Sequence, residues 1–356
     1  MTDGPGKREA GGPGAASGGR VLLGHGSGGK LYRDLVKDVF VKAFANPILD
    51  RLDDAATLAP SGRIAFTTDS HVVQPLRFAG GDIGRLSVAG TVNDLATAAA
   101  RPLALAAAFV IEEGFAMDEL RAVCASMADT ACEADVPIVT GDTKVVERGA
   151  ADGLFITTTG VGEIVVAHEL GAAAVRDGDA VILSGSIGDH AVAILAARGE
   201  FHFSAAVESD CAPLWDVVEA ALAGARDAGG EEAIRFLRDP TRGGLTTVLA
   251  ELAEEAGLGI EVEEDAIPVS PAVRSVCDLL GYDPLTLANE GKMVIVAAPE
   301  AADAVVAAVR ETEHGREARR IGFVTAAHAG RVALRTEFGT RRVLDMPVGE
   351  LLPRIC

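Results

Sequence analysis

Aromatic side chains are scarce, at 4% of 356 residues, while the hydrophobic share is 49%. The interiors must therefore be aliphatic, built from Ala, Val, Leu and Ile. Positive charge is also short: 32 Lys and Arg stand against 52 Asp and Glu, a formal net charge of −20. Such a surface repels phosphate backbones and anionic lipid, so neither nucleic-acid nor membrane partners are expected. A phosphorylated substrate would need divalent cations to meet it. The five cysteines (Cys124, Cys132, Cys211, Cys277, Cys356) are odd in number, widely spaced and contain no CxxC pair. That argues against a disulfide framework or a zinc ribbon and fits a reducing, cytoplasmic setting. Cys124, Cys132 and Cys277 lie in apolar helical contexts and are expected to be small buried core residues. Nothing reads as a signal peptide. The apolar runs 96–100 and 104–110 are too short to span a bilayer, with Arg101-Pro102 between them.

What the chain does have is enough apolar content for two cores, and two domains are expected at this length. Residues 1–19, rich in Gly, Ala, Ser and Pro, read as a disordered extension. Residues 20–167 form a first domain, 168–347 a second, and 348–356 a mobile tail. In the first, 31–44 has helical spacing and Asn46-Pro47 stops it. Strands are expected at 63–68, 101–111, 136–140 and 153–161, and an amphipathic helix at 117–133. The second domain opens with a strand at 180–183 and closes with strands near 319–324 and 331–334. Both halves mix helix and strand, an α+β class.

Acidic residues recur where apolar runs meet Gly- or Thr-rich turns: Asp54, Asp69, Asp94 and Asp142. Any one of them is ordinarily a cap or turn residue. Gathered together, they would repel one another unless cations neutralised them, and Mg²⁺ is the hard ion that suits oxygen ligands. Lys144, two residues past Asp142, offers a point charge for phosphate or, if desolvated, a base. The segment Gly24-His25-Gly26-Ser27-Gly28-Gly29-Lys30 has the spacing of a Walker A loop. Leu31 replaces the expected Ser or Thr, however, and no central strand precedes it. It reads instead as a phosphate-covering flap or a linker. In the second domain, Ser184–His190 and Arg238–Leu245 are glycine turns that open helices. His190 is a satisfied surface residue or a proton handler, and Glu290 a turn residue or an acid/base at a strand mouth. Last comes Pro353-Arg354-Ile355-Cys356. A stiffened approach, a positive charge and a terminal thiol suit a swinging nucleophile, loaded in one place and processed in another.

The motifs GHGSGGK, LDDAA, FTTDS, GTVNDLA, GDTKVVERGAADG, SGSIGDH, RDPTRGGL, ANEGK and the final PRIC together resemble the HypE family of hydrogenase-maturation carbamoyl dehydratases. The wider relatives are aminoimidazole ribonucleotide synthetase and selenophosphate synthetase. The likeness covers the chain from about residue 21 onward. It implies two mixed α/β domains of the aminoimidazole ribonucleotide synthetase-like type, with the N-terminal sheet forming a β-barrel-like homodimer interface. It implies ATP and Mg²⁺, with Gly26, Ser27, Gly28 and Gly29 covering the phosphates. Asp54, Asp69, Asp94 and Asp142 would be the metal and nucleotide carboxylates, with Asn93 beside them. Cys356 would accept a carbamoyl group from HypF, become a thiocyanate at the expense of ATP, and pass cyanide to the HypC–HypD complex. The chemistry must strip protons from nitrogen, for which Lys144 and Glu290 are the first candidates and His190 the third.

Overall fold

The computed structural model describes residues 19–26, 29–51, 56–199, 207–347, 352 and 354–356. Ser27, Gly28 and Asp54, expected at the site, lie outside the described residues, as do residues 1–18.

Two sheets organise what is described, in an α+β, two-domain arrangement. The first places β1 (Ile64–His71), β6 (Leu154–Ile164), β4 (Ala100–Glu112) and β5 (Ile138–Val146) side by side. β4 and β5 run parallel and the other neighbours antiparallel. The period-2 alternation of β1 turns Ala65, Thr67, Asp69 and His71 inward and leaves Ile64, Phe66, Thr68 and Ser70 exposed. Helices α3 (Ile83–Thr97) and α4 (Met117–Glu133) pack on the inner face. α3 is buried nearly all round because small residues let it lie close to the strands. A Cβ on Gly90 would come 3.0 Å from His71 Nε2. α1 (Gly29–Leu35) continues through a π turn, whose Phe40 tilts against Phe109 of β4 at 4.8 Å, into α2 (Lys42–Phe44).

The second sheet orders β13 (Arg341–Leu344), β12 (Val332–Arg335), β9 (Gly259–Glu263), β11 (Arg319–Thr325), β7 (Ala180–Leu183), β10 (Val294–Ala297) and β8 (Ile234–Arg238). Only the β9/β12 pair is parallel. α6 (Trp215–Gly229) and α9 (Ala302–Arg310) cover Ile182 and Ile295 on one face. α7 (Gly244–Ala256) covers Val181 and Val296 on the other. Burial on both faces explains why these strands read as unbroken apolar runs. α5 (Asp189–Ala197) and α8 (Pro271–Leu280) send Val192, Ile194, Val273 and Val276 into the core of the first domain, so one apolar interior crosses the boundary. A two-stranded ribbon, β2 (Arg77–Phe78) and β3 (Gly81–Asp82), leads into α3.

Two expectations need correcting. Gly141–Lys144 is not a turn after a strand: β5 continues straight through it to Val146. A Cβ on Gly141 would collide with the Ala107 carbonyl, so glycine is what lets β5 lie against β4 there. Cys132 is exposed, while Cys124 and Cys277 are buried as expected; the buried stripe of α4 ends at Ala131. Within one chain the first sheet is open, with β1 and β5 as its edges, so no closed barrel forms among the described residues.

Candidate active site

Four carboxylates lie within electrostatic reach of one another where β1 faces the second sheet. Asp69 accepts the Ser70 backbone N–H at 2.8 Å and stands 3.4 Å from His71 Nε2. Asp94, on α3, accepts the Thr67 hydroxyl at 2.8 Å. Asp239 follows β8 and Glu290 precedes β10; because those strands are antiparallel neighbours pairing Arg238 with Val294, both acids emerge at the same end. The Glu290 backbone is pinned: its N–H donates to Asp210 at 3.2 Å, and its carbonyl accepts from Asn93 Nδ2 at 3.2 Å. Asp210 itself pairs with Lys292 at 3.1 Å. The Glu290 side chain is 4% exposed, and its Oε1 has no partner among the described residues.

The electrostatics follow from burial and like charge. Burial, then Asp239 and Asp210, push the Glu290 carboxyl well above the usual carboxylate range. Burial, then Asp94, raise Asp239 to about 7. Burial raises Asp94 as well, against the pull of the Thr67 hydroxyl. The group holds more negative charge than it can ionise alone, and the oxygen-only donor set suits a hard divalent cation. Among the described residues no three acidic, His or Cys side chains already converge in a metal-holding arrangement.

Into this end of the molecule the last residues of the chain are docked. They lie beside residues 72–74 just past β1. The Val72 N–H donates to a main-chain carboxylate oxygen of Cys356 and the Gln74 N–H to the Arg354 carbonyl, both at 3.2 Å. Arg354, at a left-handed φ of 52°, donates Nε to the Val72 carbonyl at 2.9 Å and pairs with Asp152 at 2.5 Å. Ile355 is buried. Burial, then Glu290, push the Cys356 thiol up to about 12, with Arg242 as the cation that opposes. The sulfur therefore sits as a neutral thiol within electrostatic reach of Glu290, Asp69 and Arg242.

The other expected residues divide. Asn93 is buried and its amide is fully engaged: Nδ2 donates to the Ala212 and Glu290 carbonyls, and Oδ1 accepts the Leu214 N–H at 2.8 Å. It joins the two domains rather than facing a ligand. Asp142 and Lys144 pair at 2.6 Å on the exposed side of β5. The Asp142 carboxylate holds the Lys144 ammonium above its ordinary value. The row Asp69, Thr158, Ala107, Gly141 crosses three strand spacings, about 14 Å, so one chain does not unite Lys144 with Glu290. His190 is fully buried, and both its ring nitrogens are occupied, by the Ile355 carbonyl and by Ser209. Gly26 lies against β5, where a Cβ would come 2.6 Å from Val145 N, and Gly29 opens α1. Among the described residues no strand precedes this loop, only an isolated bridge at Arg20, which is not the setting of a Walker A motif. Asp239, Asp210 and Arg242 were not singled out from the sequence, although Arg238–Leu245 was noted as a motif; a carboxylate directly after a buried strand was the available signal.

A cavity of about 1070 Å³ opens between α1 and β5, lined by Lys30, Arg33, Lys37, Phe40, Phe109 and Asp142 among others. A basic rim over an apolar, partly aromatic floor has the chemistry and size for a nucleotide.

Residues 52–164 match the N-terminal domain, and 176–335 the C-terminal domain, of AIR synthase related protein. The chain is 50% identical to carbamoyl dehydratase HypE of Rhodobacter capsulatus over 340 residues, covering 95% of this chain and 98% of the relative. It is 46% identical to the Escherichia coli protein of that name, covering 94% and 99%. Among solved structures, hydrogenase maturation protein HypE in complex with ATP superposes with a TM-score of 0.88 at 48% identity, covering 94% of this chain and 99% of that one. A HypE–HypF complex gives 0.76 at 43%, covering 88% and 99%. Thiamine-monophosphate kinase of Stenotrophomonas maltophilia, at 21% identity and 0.62, shares the fold.

Proposed function

The chain belongs to the HypE carbamoyl dehydratases of hydrogenase maturation, within the AIR synthase related family, and from that premise we propose that it dehydrates a carbamoyl group carried on its own Cys356, using ATP. The observation that carries this reading is the docked tail, which lays the terminal sulfur beside Glu290, Asp69 and Arg242.

The carbamoyl oxygen is a poor leaving group. Its attack on the terminal phosphorus of ATP releases ADP, and the nitrogen gives up one proton. The carbon–oxygen bond then breaks, phosphate leaves with the electron pair, and loss of the second N–H proton completes the C≡N bond on sulfur. Two protons need acceptors. Glu290, with a buried and unpartnered Oε1 and a pinned main chain, is the base we assign, acting from the ionised form that burial and its acidic neighbours disfavour, and Asp239 at a pKa of about 7 is suited to the second proton. Asp69 and Asp94, with Asp54 and Asp142, are the proposed Mg²⁺ ligands; the ion, when bound, neutralises phosphate charge. Lys144 then serves as a phosphate-facing cation. The α1/β5 cavity is the proposed nucleotide pocket, and Gly26, Ser27, Gly28 and Gly29 are proposed to cover the phosphates.

That pocket and the docked sulfur belong to opposite edges of the sheet. A homodimer that pairs the exposed sheet faces would bring β5 of one protomer to β1 of its partner and complete the site, and this is the barrel-like interface we propose. HypF is the proposed carbamoyl donor and HypC–HypD the acceptor of cyanide. No described helix is long and apolar enough to cross a membrane, and the free thiols fit a cytoplasmic setting.

Intact-mass analysis tests the reading. With HypF, carbamoyl phosphate and ATP, an adduct on Cys356 should appear and then lose the mass of one water. An adduct elsewhere, or none, overturns it.

A further inference from the structure

The imidazole of His190 is held on three sides. Nε2 meets the Ile355 carbonyl at 2.7 Å and Nδ1 meets the Ser209 hydroxyl at 2.8 Å. The Phe78 ring stands edge-on at 5.5 Å and 90°. A carbonyl only accepts, so Nε2 carries the proton and Nδ1 receives the one from Ser209. Ser209 in turn accepts the Cys211 N–H at 3.1 Å. Burial lowers the pKa of the ring and keeps it neutral. With both nitrogens engaged, the side chain has no free atom to offer a reacting nitrogen or oxygen while the tail is in place.

The engaged carbonyl is that of the peptide bond joining Ile355 to Cys356. The main-chain oxygens of Arg354 and Cys356 turn toward residues 72–74, whereas the Ile355 carbonyl between them turns to the buried imidazole. Arg198 supports the near side, donating to the Gln74 and Arg354 carbonyls at 3.1 Å.

We propose that His190, seated by Ser209, is a positioning residue that latches the peptide bond adjoining Cys356 and so sets where the reacting sulfur stands. Without it the Ile355 carbonyl is buried and unpaired, and the docked tail loses population to the undocked one. The inference rests on the dehydratase reading for its catalytic consequence, but the docking itself is measurable without turnover.

The test uses the full chain without HypF or ATP. Alkylation of Cys356 by iodoacetamide at neutral pH is followed by intact mass and peptide mapping. His190→Ala should raise the rate about tenfold, the cost of stranding one buried acceptor. His190→Gln, which retains an N–H near the position of Nε2, should return it most of the way toward wild type. Ser209→Ala, a milder change, should raise it a few-fold and serves if His190→Ala does not fold. Unchanged alkylation in Ser209→Ala and in any folded His190→Ala protein overturns the latch, and so does a His190→Gln tail as exposed as that of His190→Ala. In the complete dehydration assay the same variants should slow water loss from the loaded tail in the order of their exposure; a variant with an exposed tail and undiminished dehydration overturns the positioning role. If the alkylation order holds but wild-type protein never loses water, the latch stands and the dehydratase reading falls.

Discussion

A carboxyl group held near neutrality by its surroundings works against the fold once it ionises, and Asp239 is such a group. Its native pKa of about 7 lies above the ordinary value near 3.9, so the folded state binds the proton more tightly than the unfolded one. The stabilisation is complete below about pH 4 and is lost as pH rises through 7. Asp239→Asn should therefore raise stability at pH 7.5 by about 1 kcal/mol, discounted for partial exposure, while dehydration falls sharply. Melting curves of metal- and nucleotide-free protein at pH 5 and 7.5 check it: the gain should be confined to the higher pH. Cys356 carries the same logic for docking. Its docked pKa of about 12 exceeds that of a free thiol, about 8.5. The unmodified tail should hold best below pH 8 and come loose as pH rises past 9, becoming open to carboxypeptidase. A carbamoylated sulfur has no proton to lose and should stay protected over the same range. Loading needs the thiolate and docking needs the neutral form, and carbamoylation converts one into the other.

Elements carry a different share of the behaviour. β1 turns half-exposed Asp69 and buried His71 to one side and leaves Phe66 69% exposed on the other, beside the hydroxyl pairs Thr68–Thr159 and Ser70–Thr157. If that face is the dimer interface, Phe66→Asp should yield monomers in sedimentation velocity while the fold melts much as before; an intact dimer would point to another face. Much of this was legible beforehand. The helix over 117–133 could be read because its apolar stripe is periodic, and Asp69 and Asp94 because apolar runs ended in acid. The continuation of β5 through Gly141–Lys144 was hidden because Gly-Asp-Thr-Lys has turn composition, and only packing against Ala107 makes it a strand. Asn93 sat in a motif full of polar residues, and nothing local says that its amide reaches Ala212 and Leu214, more than a hundred positions away. The tail's sulfur was visible as chemistry; the latch of His190 on Ile355, 165 positions apart, was not.

At the scale of the whole molecule, the tail docks on its own protomer while Asp142, Lys144 and the basic cavity lie at the far edge of the sheet. Mixed dimers separate the contributions. Cys356→Ser and Asp142→Asn chains, each inactive alone, should recover about a quarter of wild-type dehydration when mixed and re-equilibrated, because half the dimers are mixed and each has one complete site. Chains that work independently would recover none. The short segment joining β13 to Cys356 has a consequence for anything meant to block the enzyme. If the substrate is carried on Cys356 as proposed, its tether keeps the local concentration at the site of millimolar order whatever the dilution. A soluble thiocarbamate mimic would then have to outcompete an occupant that never diffuses away, so ligands for the open α1/β5 cavity, where no leash confers an advantage, are the more promising inhibitors.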